Sequence, residues 1–164
     1  MHQINWGVIG PGSIARAFAY SIKGTTNSKL TSVFGRNPQK TDSFASKFQL
    51  NAHHRLSDFI SSKETDAIYI ATPHSEHFFY ALEAIKNGKH VLCEKPLTMN
   101  AYESMVLIDL ANSKNVFLME AFMYRAHPQT RNILENLSFL SNSKEKILIE
   151  ASFGFTADVS KFTD

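Results

Sequence analysis

A glycine-rich turn near the N-terminus has the residue types that a phosphate-binding loop requires. Residues 10–15 read Gly-Pro-Gly-Ser-Ile-Ala and lie between a short apolar run and a run of helix-forming residues. Gly10 permits a tight turn, and Gly12 lacks a Cβ, so that a pyrophosphate can approach the backbone. The first N–H groups of the following helix are unpaired and attract anions. The segment therefore predicts a dinucleotide site, with a ligand-free turn as the alternative, and its contacts are Gly10, Gly12, Ser13 and Ile14.

The residues after the second predicted strand indicate which dinucleotide would bind. An NAD site usually has Asp or Glu there, roughly 20 residues beyond the glycines, to bind the ribose 2′-hydroxyl. This chain has Phe-Gly-Arg-Asn at positions 34–37, and its first acidic residue is Asp42. Arg36, with Asn37 beside it, suits a 2′-phosphate that a carboxylate would repel. We therefore predict NADP as the cofactor, with NAD less favoured. The alternative is that Arg36 is only a solvated surface residue.

Two further polar stretches follow predicted strands. Residues 72–77 read Thr-Pro-His-Ser-Glu-His after the apolar strand Ala67–Ala71, and Glu94-Lys95-Pro96 follows the strand His90–Cys93. The carboxyl ends of parallel strands meet at one edge of a sheet, where ligands bind. A lysine near a bound cofactor there can move a proton. The residues alone support equally well a Glu–Lys pair on a loop before a structural proline.

The histidines and the cysteine favour no metal site. His74 and His77 are three residues apart, which is a metal-ligand spacing, but the sequence shows no third ligand nearby. Helix-start capping or contact with a cofactor is the better interpretation. Cys93 has no His or Asp arrangement around it and is expected to be a small core residue.

The elements that must position these residues alternate between strand and helix. This βα pattern predicts an α/β fold, a Rossmann-type doubly wound parallel sheet over residues 1–125. Within it, we expect Ser75 to cap a helix, Asn100 and Glu103 to form a capping box, and Asn51–Arg55 to be a polar connection. Residues 126–164 are predicted to hold a linker helix and the first strand, Ile147–Phe155, of an incomplete α+β domain with an open antiparallel sheet. That unpaired strand would favour aggregation or dependence on another chain.

Composition excludes several classes of protein. The chain has 164 residues, of which 43% are hydrophobic and 20% charged, so a packed core is expected. The net charge of +2 is too small to indicate nucleic acid or a membrane surface as a partner. A single cysteine excludes an internal disulfide and favours a cytoplasmic location. No segment approaches the roughly 18 apolar residues of a membrane-spanning helix.

Four motifs in order resemble a known family. The chain resembles the glucose–fructose oxidoreductase, inositol dehydrogenase and rhizopine-catabolism family (Gfo/Idh/MocA), over essentially its whole length. The branch with dimeric dihydrodiol dehydrogenases and NADP-dependent xylose dehydrogenases is the most similar. The motifs are Gly-Val-Ile-Gly-Pro-Gly-Ser-Ile-Ala at 7–15, Thr72-Pro73 with His77, Glu94-Lys95-Pro96, and Glu-Ala-Phe-Met-Tyr-Arg at 120–125 with His127-Pro128.

The resemblance implies roles for individual residues. Lys95 would be the catalytic lysine, near the nicotinamide and the substrate hydroxyl, where it helps to relay a proton. Glu94 would lie beside the nicotinamide ribose, and Pro96 would follow a cis peptide bond. The other cofactor contacts that the resemblance implies are Thr72, Pro73, His74, His77 and Arg125.

The activity implied is NADP-dependent hydride transfer between nicotinamide and a CH–OH group of a sugar or cyclic diol. Relatives are roughly twice as long, and their second domain supplies the substrate pocket, a Tyr or His acid/base and a sheet through which homo-oligomers form. We therefore expect this chain alone to bind NADP but to turn over little. The alternative function is a non-catalytic dinucleotide-binding module or sensor. A methyltransferase-like Rossmann protein is disfavoured by the Thr72-Pro73 and Glu94-Lys95-Pro96 segments.

Overall fold

A computed structural model describes residues 3–140 together with residues 150 and 152, and it divides the chain into two compact units between Met123 and Tyr124. The strands are β1 (Ile4–Ile9), β2 (Ser28–Phe34), β3 (Asn51–His53), β4 (Ala67–Ile70), β5 (His90–Cys93) and β6 (Leu118–Glu120). The helices of the first unit are α1 (Ser13–Ile22), α2 (Pro38–Phe48), α3 (Leu56–Ser61), α4 (His77–Lys86) and α5 (Ala101–Lys114). In the second unit, α6 spans Pro128–Leu140.

The strands form one parallel sheet in the order β3-β2-β1-β4-β5-β6. The chain thus builds outward from β1 in one direction, returns, and builds outward from β4 in the other. This is the strand order of a Rossmann fold, and it confirms the predicted doubly wound sheet. The order reverses between β1 and β4, so the crevice beyond the carboxyl ends of these two strands is where a ligand is expected.

Helices cover both faces of the sheet, because the central strands are apolar on both sides. All four residues of β4 are buried. Ile68 and Ile70 pack in a core with residues of α3, α4 and α5, whereas Tyr69 packs in a second core with residues of α1 and α2. On that second face, the rings of Phe18 and Tyr69 are stacked with centroids 4.2 Å apart. The near-continuous apolar run predicted for a doubly buried strand is confirmed.

Two local predictions differ from the structure, and a third lies almost wholly outside the described residues. Residues 51–53, expected to be a polar connection, form the edge strand β3, which pairs with β2 alone. Such a strand needs no apolar run, because its side chains at the sheet edge are exposed or only partly buried. Ser75 does not cap α4, since a 3₁₀ turn spans His74–Glu76 and α4 begins at His77. The strand predicted at Ile147–Phe155 falls, apart from Glu150 and Ser152, outside the described residues.

None of the helices in the described part of the chain is long and apolar enough to cross a bilayer.

The predicted N-cap at the start of α5 is present, and the reciprocal bond that Glu103 accepts comes from the residue before the cap. The side-chain oxygen of Asn100 accepts a hydrogen bond of 2.9 Å from the Glu103 N–H, and the Glu103 carboxylate accepts one of 3.2 Å from the Met99 N–H. Both contacts satisfy backbone donors that have no partner within the helix. They fix α5 directly after the loop that follows β5.

We predict that Asn100→Ala lowers the free energy of unfolding by about 1 kcal/mol, because the N-cap acceptor is lost. Chemical denaturation followed by circular dichroism measures this loss. Asn112→Ala, which makes the same change at an exposed position inside α5, is the control and should be nearly neutral. Equal losses in both variants would show that the cap contributes nothing.

Candidate functional site

A cleft of about 290 Å³ lies at the carboxyl ends of β1, β2 and β4. It is the crevice that the strand order predicts. The glycine turn, the end of β2 and the loop after β4 form its three sides. The cleft is lined by Ile9, Gly10, Pro11, Gly12, Phe34, Gly35, Arg36, Asn37, Lys40, Ala71, Thr72, Pro73, Glu76 and Tyr80. Six predicted cofactor contacts are therefore brought together in this cleft: Gly10, Gly12, Arg36, Asn37, Thr72 and Pro73.

The two glycines of the turn serve different purposes. Gly10 has φ +92°, and a Cβ there would lie 2.8 Å from the carbonyl oxygen of Ala71. Both its conformation and its close approach to the loop after β4 require glycine. Gly12 has φ −90°, which any residue can adopt, and a Cβ there would meet nothing within 4 Å. Gly12 therefore leaves open space at the cleft, as a bound pyrophosphate would require.

The start of α1 completes an anion-binding surface beside Gly12. Ser13 and Ile14 form the exposed first turn of this helix, which has no acidic residue and no side chain capping its N–H groups. Unpaired N–H groups and the helix dipole both favour a phosphate at this point. The open space at Gly12 and this uncapped helix start together fit a dinucleotide.

At the end of β2, Arg36, Asn37 and Lys40 line the cleft. The side-chain oxygen of Asn37 accepts a hydrogen bond of 2.9 Å from the Lys40 N–H, so Asn37 caps α2 while its amide NH₂ can still donate to a ligand. A Cβ on Gly35 would lie 2.6 Å from Cδ of Pro11, which shows how tightly the end of β2 packs against the turn. Sequence reasoning did not select Lys40, although it lies one helical turn from the Asn37 cap.

On the opposite side of the cleft, Glu76 forms an ion pair with Arg36, at 2.6 Å between Nη2 and Oε1. The other carboxylate oxygen, Oε2, and Oγ1 of Thr72 are buried and have no hydrogen-bond partner among the described residues. Tyr80 lies one turn after Glu76 on the cleft side of α4. Burial raises the pKa of the Tyr80 phenol, the charge of Glu76 raises it further, and Arg36 opposes them. Apart from the four-residue spacing between Glu76 and Tyr80, no sequence pattern points to Glu76 as a site residue.

His77 lies behind the cleft and not in it. Its side chain is 0% exposed, with Nδ1 2.7 Å from the carbonyl oxygen of Pro96 and Nε2 3.0 Å from that of Thr72. Both partners are acceptors, so the imidazole joins the loop after β4 to the loop after β5. No ring nitrogen remains for a cofactor. In place of the predicted cofactor contact, the structure gives His77 a positioning role.

The segment after β5 is held by side chains around Glu94. The buried Tyr69 hydroxyl donates a hydrogen bond of 2.6 Å to Oε1 of Glu94, and the Lys95 N–H donates one of 3.3 Å to Oε2. Burial and then the neighbouring Glu94 raise the pKa of Tyr69 well above its usual range, so the phenol stays a donor. The Lys95 side chain is exposed, and the Lys95–Pro96 peptide bond is cis. Glu94 is thus fixed beside an exposed lysine at the same sheet edge as Thr72.

The remaining predicted contacts lie apart from the cleft lining. His74 is exposed, and its ring lies edge-on to that of His77 with centroids 5.6 Å apart. Arg125 is exposed in the 3₁₀ turn Met123–Ala126 and belongs to the second compact unit. Within the described residues, no three His, Cys, Asp or Glu side chains come together as a metal site.

A family model and individual known proteins both match this chain, and the matches agree with one another. The model of the Gfo/Idh/MocA family, described as an oxidoreductase family with an NAD-binding Rossmann fold, matches residues 4–122. Oxidoreductase P35 of Formosa agariphila is 36% identical over 137 residues, which are 82% of this chain and 43% of that protein. A trans-1,2-dihydrobenzene-1,2-diol dehydrogenase of Xenopus tropicalis is 34% identical over 91% of this chain and 46% of its own length.

A solved structure extends the comparison. KijD10, a 3-ketoreductase from Actinomadura kijaniata in complex with NADP and TDP-benzene, superposes with a TM-score of 0.78 at 28% identity. The match covers 84% of this chain and 43% of that one. This chain therefore spans less than half the length of each of these three proteins.

The two glycines give a paired prediction. Gly12→Ala should leave the melting temperature unchanged but weaken NADPH binding at least about tenfold, because the methyl group occupies the open space. Gly10→Ala should lower the free energy of unfolding by about 1–3 kcal/mol, because a positive φ and a backbone contact are both forced on alanine.

Thermal melting and NADPH fluorescence titration measure these two effects. Gly24→Ala is the control, since a Cβ there has only an ordinary contact of 3.6 Å with the Ser21 carbonyl. Wild-type NADPH affinity in Gly12→Ala would contradict the assignment of that space to a cofactor.

The single thiol gives a second prediction. Cys93 is buried, and burial, with the charges of Glu94 and Glu120 adding to it, raises its pKa to about 12. At pH 8 only about one thiol in ten thousand is then ionised, so the native protein should react with Ellman's reagent far more slowly than the chain unfolded in guanidinium chloride. Rapid modification of the native protein would show that the thiol is accessible.

Proposed function

The chain belongs to the Gfo/Idh/MocA family of oxidoreductases with an NAD-binding Rossmann fold, and on that premise we propose that it is the cofactor-binding half of an NADP-dependent dehydrogenase. The substrate would be a sugar or cyclic diol, oxidised or formed at a CH–OH group. The observation that carries the proposal is the cleft at the strand ends, where open space at Gly12 lies beside Arg36 and Lys40.

The preference for NADP rests on charge at the end of β2. Two cationic side chains line the cleft there, Arg36 and Lys40, and the sequence places no carboxylate in that segment. A dianionic 2′-phosphate gains from both cations, whereas the 2′-hydroxyl of NAD lacks the acceptor that it usually finds there. Among the relatives, scyllo-inositol 2-dehydrogenase IolU of Bacillus subtilis is an NADP(+) enzyme by name.

The cofactor contacts follow from the lining and the sheet edge. Gly10, Gly12, Ser13 and Ile14 would hold the pyrophosphate through backbone N–H groups. Thr72 and Pro73 would line the path toward the nicotinamide, and Thr72 Oγ1 is a buried hydroxyl that still has a hydrogen bond to make. His74 and Arg125 are proposed as further cofactor contacts only because they lie in the segments that resemble the family motifs.

The chemistry would take place beyond the end of β5. When bound, the nicotinamide accepts or supplies a hydride at C4. Glu94, fixed by Tyr69, would orient the adjoining ribose. Lys95 is exposed on the same segment, so its Nζ could hydrogen-bond the substrate hydroxyl and help to relay the proton that leaves as the carbonyl forms. We propose Lys95 as the catalytic residue within the described part of the chain.

The remaining expectations concern the whole protein. We propose that these 164 residues alone bind NADP but turn over little, because the chain matches less than half the length of each relative described above. We further propose a cytoplasmic location and, where a second domain is present, a homo-oligomer built through its sheet. The division into domains at residues 1–125 and 126–164 is part of the same proposal.

Titrations with NADPH and NADH, followed by protein fluorescence, test the cofactor. We expect tighter binding of NADPH, and we expect Arg36→Ala to weaken NADPH about tenfold while it changes NADH binding less than about twofold. Arg55→Ala removes an exposed arginine elsewhere on the first unit and should change neither affinity. A preference for NADH, or an unchanged NADPH affinity in Arg36→Ala, would overturn the assignment to NADP.

A further inference from the structure

One ion pair crosses the cleft from side to side. Arg36 follows β2 on one side, and Glu76 precedes α4 on the other, with 2.6 Å between them. The arginine side chain is 70% exposed, whereas that of the glutamate is 20% exposed. The pair therefore consists of an exposed cation that reaches across the cleft and a mostly buried carboxylate in its wall.

Glu76 uses only part of its hydrogen-bonding capacity in this pair. Its Oε2 is buried and has no partner among the described residues, although the residue lines the cleft. Burying a carboxylate oxygen without a donor is unfavourable. An oxygen in this state at a cleft wall is suited to accept a hydrogen bond from a ligand hydroxyl or amine.

The two members of the pair favour different dinucleotides. NAD sites use a carboxylate to accept the ribose 2′-hydroxyl, and NADP sites use an arginine to bind the 2′-phosphate. In NAD sites the carboxylate comes from the end of the second strand. Here the arginine occupies that segment, and the carboxylate comes from across the cleft, already bound to it.

We propose that Glu76 sets the degree of discrimination between NADP and NAD by competing with the 2′-phosphate for Arg36. This inference rests on the proposed function. With NADP, Arg36 leaves Glu76 for the phosphate, and the carboxylate then faces a second anion in the cleft. With NAD, Arg36 stays on Glu76, whose free oxygen accepts a hydrogen bond from the ribose. Glu76 thus lowers the affinity for NADP and supports binding of NAD.

Other charged groups at the cleft do not take over this role. Lys40 lies on the Arg36 side and attracts the 2′-phosphate whether or not Glu76 is present. Tyr80 faces both members of the pair, but burial raises its pKa, so its phenol stays neutral. Among the described residues that line the cleft, Glu76 is the one carboxylate that the 2′-phosphate must displace.

The test compares Glu76→Gln with the wild-type chain in NADPH and NADH titrations. We expect NADPH to bind about fivefold more tightly, which is the size of an exposed ion pair, and NADH to bind more weakly by a smaller factor, because the glutamine oxygen is a weaker acceptor than a carboxylate. The ratio of the two affinities should rise by more than about fivefold. The same measurement with 2′,5′-ADP and 5′-AMP, which lack the nicotinamide, should give the same change in ratio.

Glu83→Gln is the matched control, because Glu83 lies on α4 in an ion pair of 2.9 Å with Lys86 and outside the cleft lining. It should leave both affinities unchanged. In the Arg36→Ala background, the Glu76→Gln change should raise NADPH affinity less than it does in the wild-type background, since there is no guanidinium to release. If Glu76→Gln melts below the wild type, Glu76→Asp, which shortens the reach, should raise the ratio in the same direction.

The outcomes separate this inference from the one on which it rests. Tight NADPH binding with an unchanged or lower affinity ratio in Glu76→Gln would overturn the role of Glu76 alone. An equal loss of both dinucleotides would also overturn it, since it would show that Glu76 binds a part that they share. Failure of the wild-type chain to bind either dinucleotide would overturn both.

Discussion

The close approach of the glycine turn to the end of β4 is the constraint on which the rest of the site depends. Gly10 lies so near the Ala71 carbonyl that no side chain fits, and its N–H donates to the Phe34 carbonyl at 2.9 Å. The turn is therefore attached to both neighbouring strands at once. Because these contacts are made by backbone atoms, they fix the floor of the cleft without using any polar side chain. The side chains around the rim remain available for a ligand.

Toward β5, the loops at the same edge of the sheet are connected through a side chain. His77, buried under the loop after β4, lies within hydrogen-bond distance of the carbonyl oxygens of Thr72 and Pro96. A neutral imidazole has one N–H, so it can donate to one of these carbonyls at a time, and only the doubly protonated ring can donate to both. The loop that carries Glu94 and Lys95 is thus connected to the loop after β4 through the side chain of His77.

Sequence reasoning was most successful where the physical signal is local. The apolar run of β4, the glycine turn and the Asn100 cap each depend on neighbours in sequence, and all three are present. It failed at β3, a strand of three residues whose composition does not indicate a strand and which is defined by its pairing with β2. It also missed Glu76, because the ion pair with Arg36 joins residues 40 positions apart, and no spacing rule predicts which side chains meet across a cleft.

Two side-chain contacts at this sheet edge, one after β5 and one across the cleft, differ in strength, and this difference matters for what each can do. Tyr69 is buried and stacked on Phe18, and its hydrogen bond to Glu94 is short and partly buried, so that carboxylate is held in place. Arg36 is largely exposed, and its bond to Glu76 is therefore weak in net free energy and open to competition. A site that transfers hydride needs fixed geometry where the reaction occurs, whereas it can tolerate an adjustable contact where the cofactor is only recognised. In this chain the fixed contact lies beside Lys95 and the weaker one lies across the cleft, so under the proposed function a change in cofactor preference need not disturb the reacting groups.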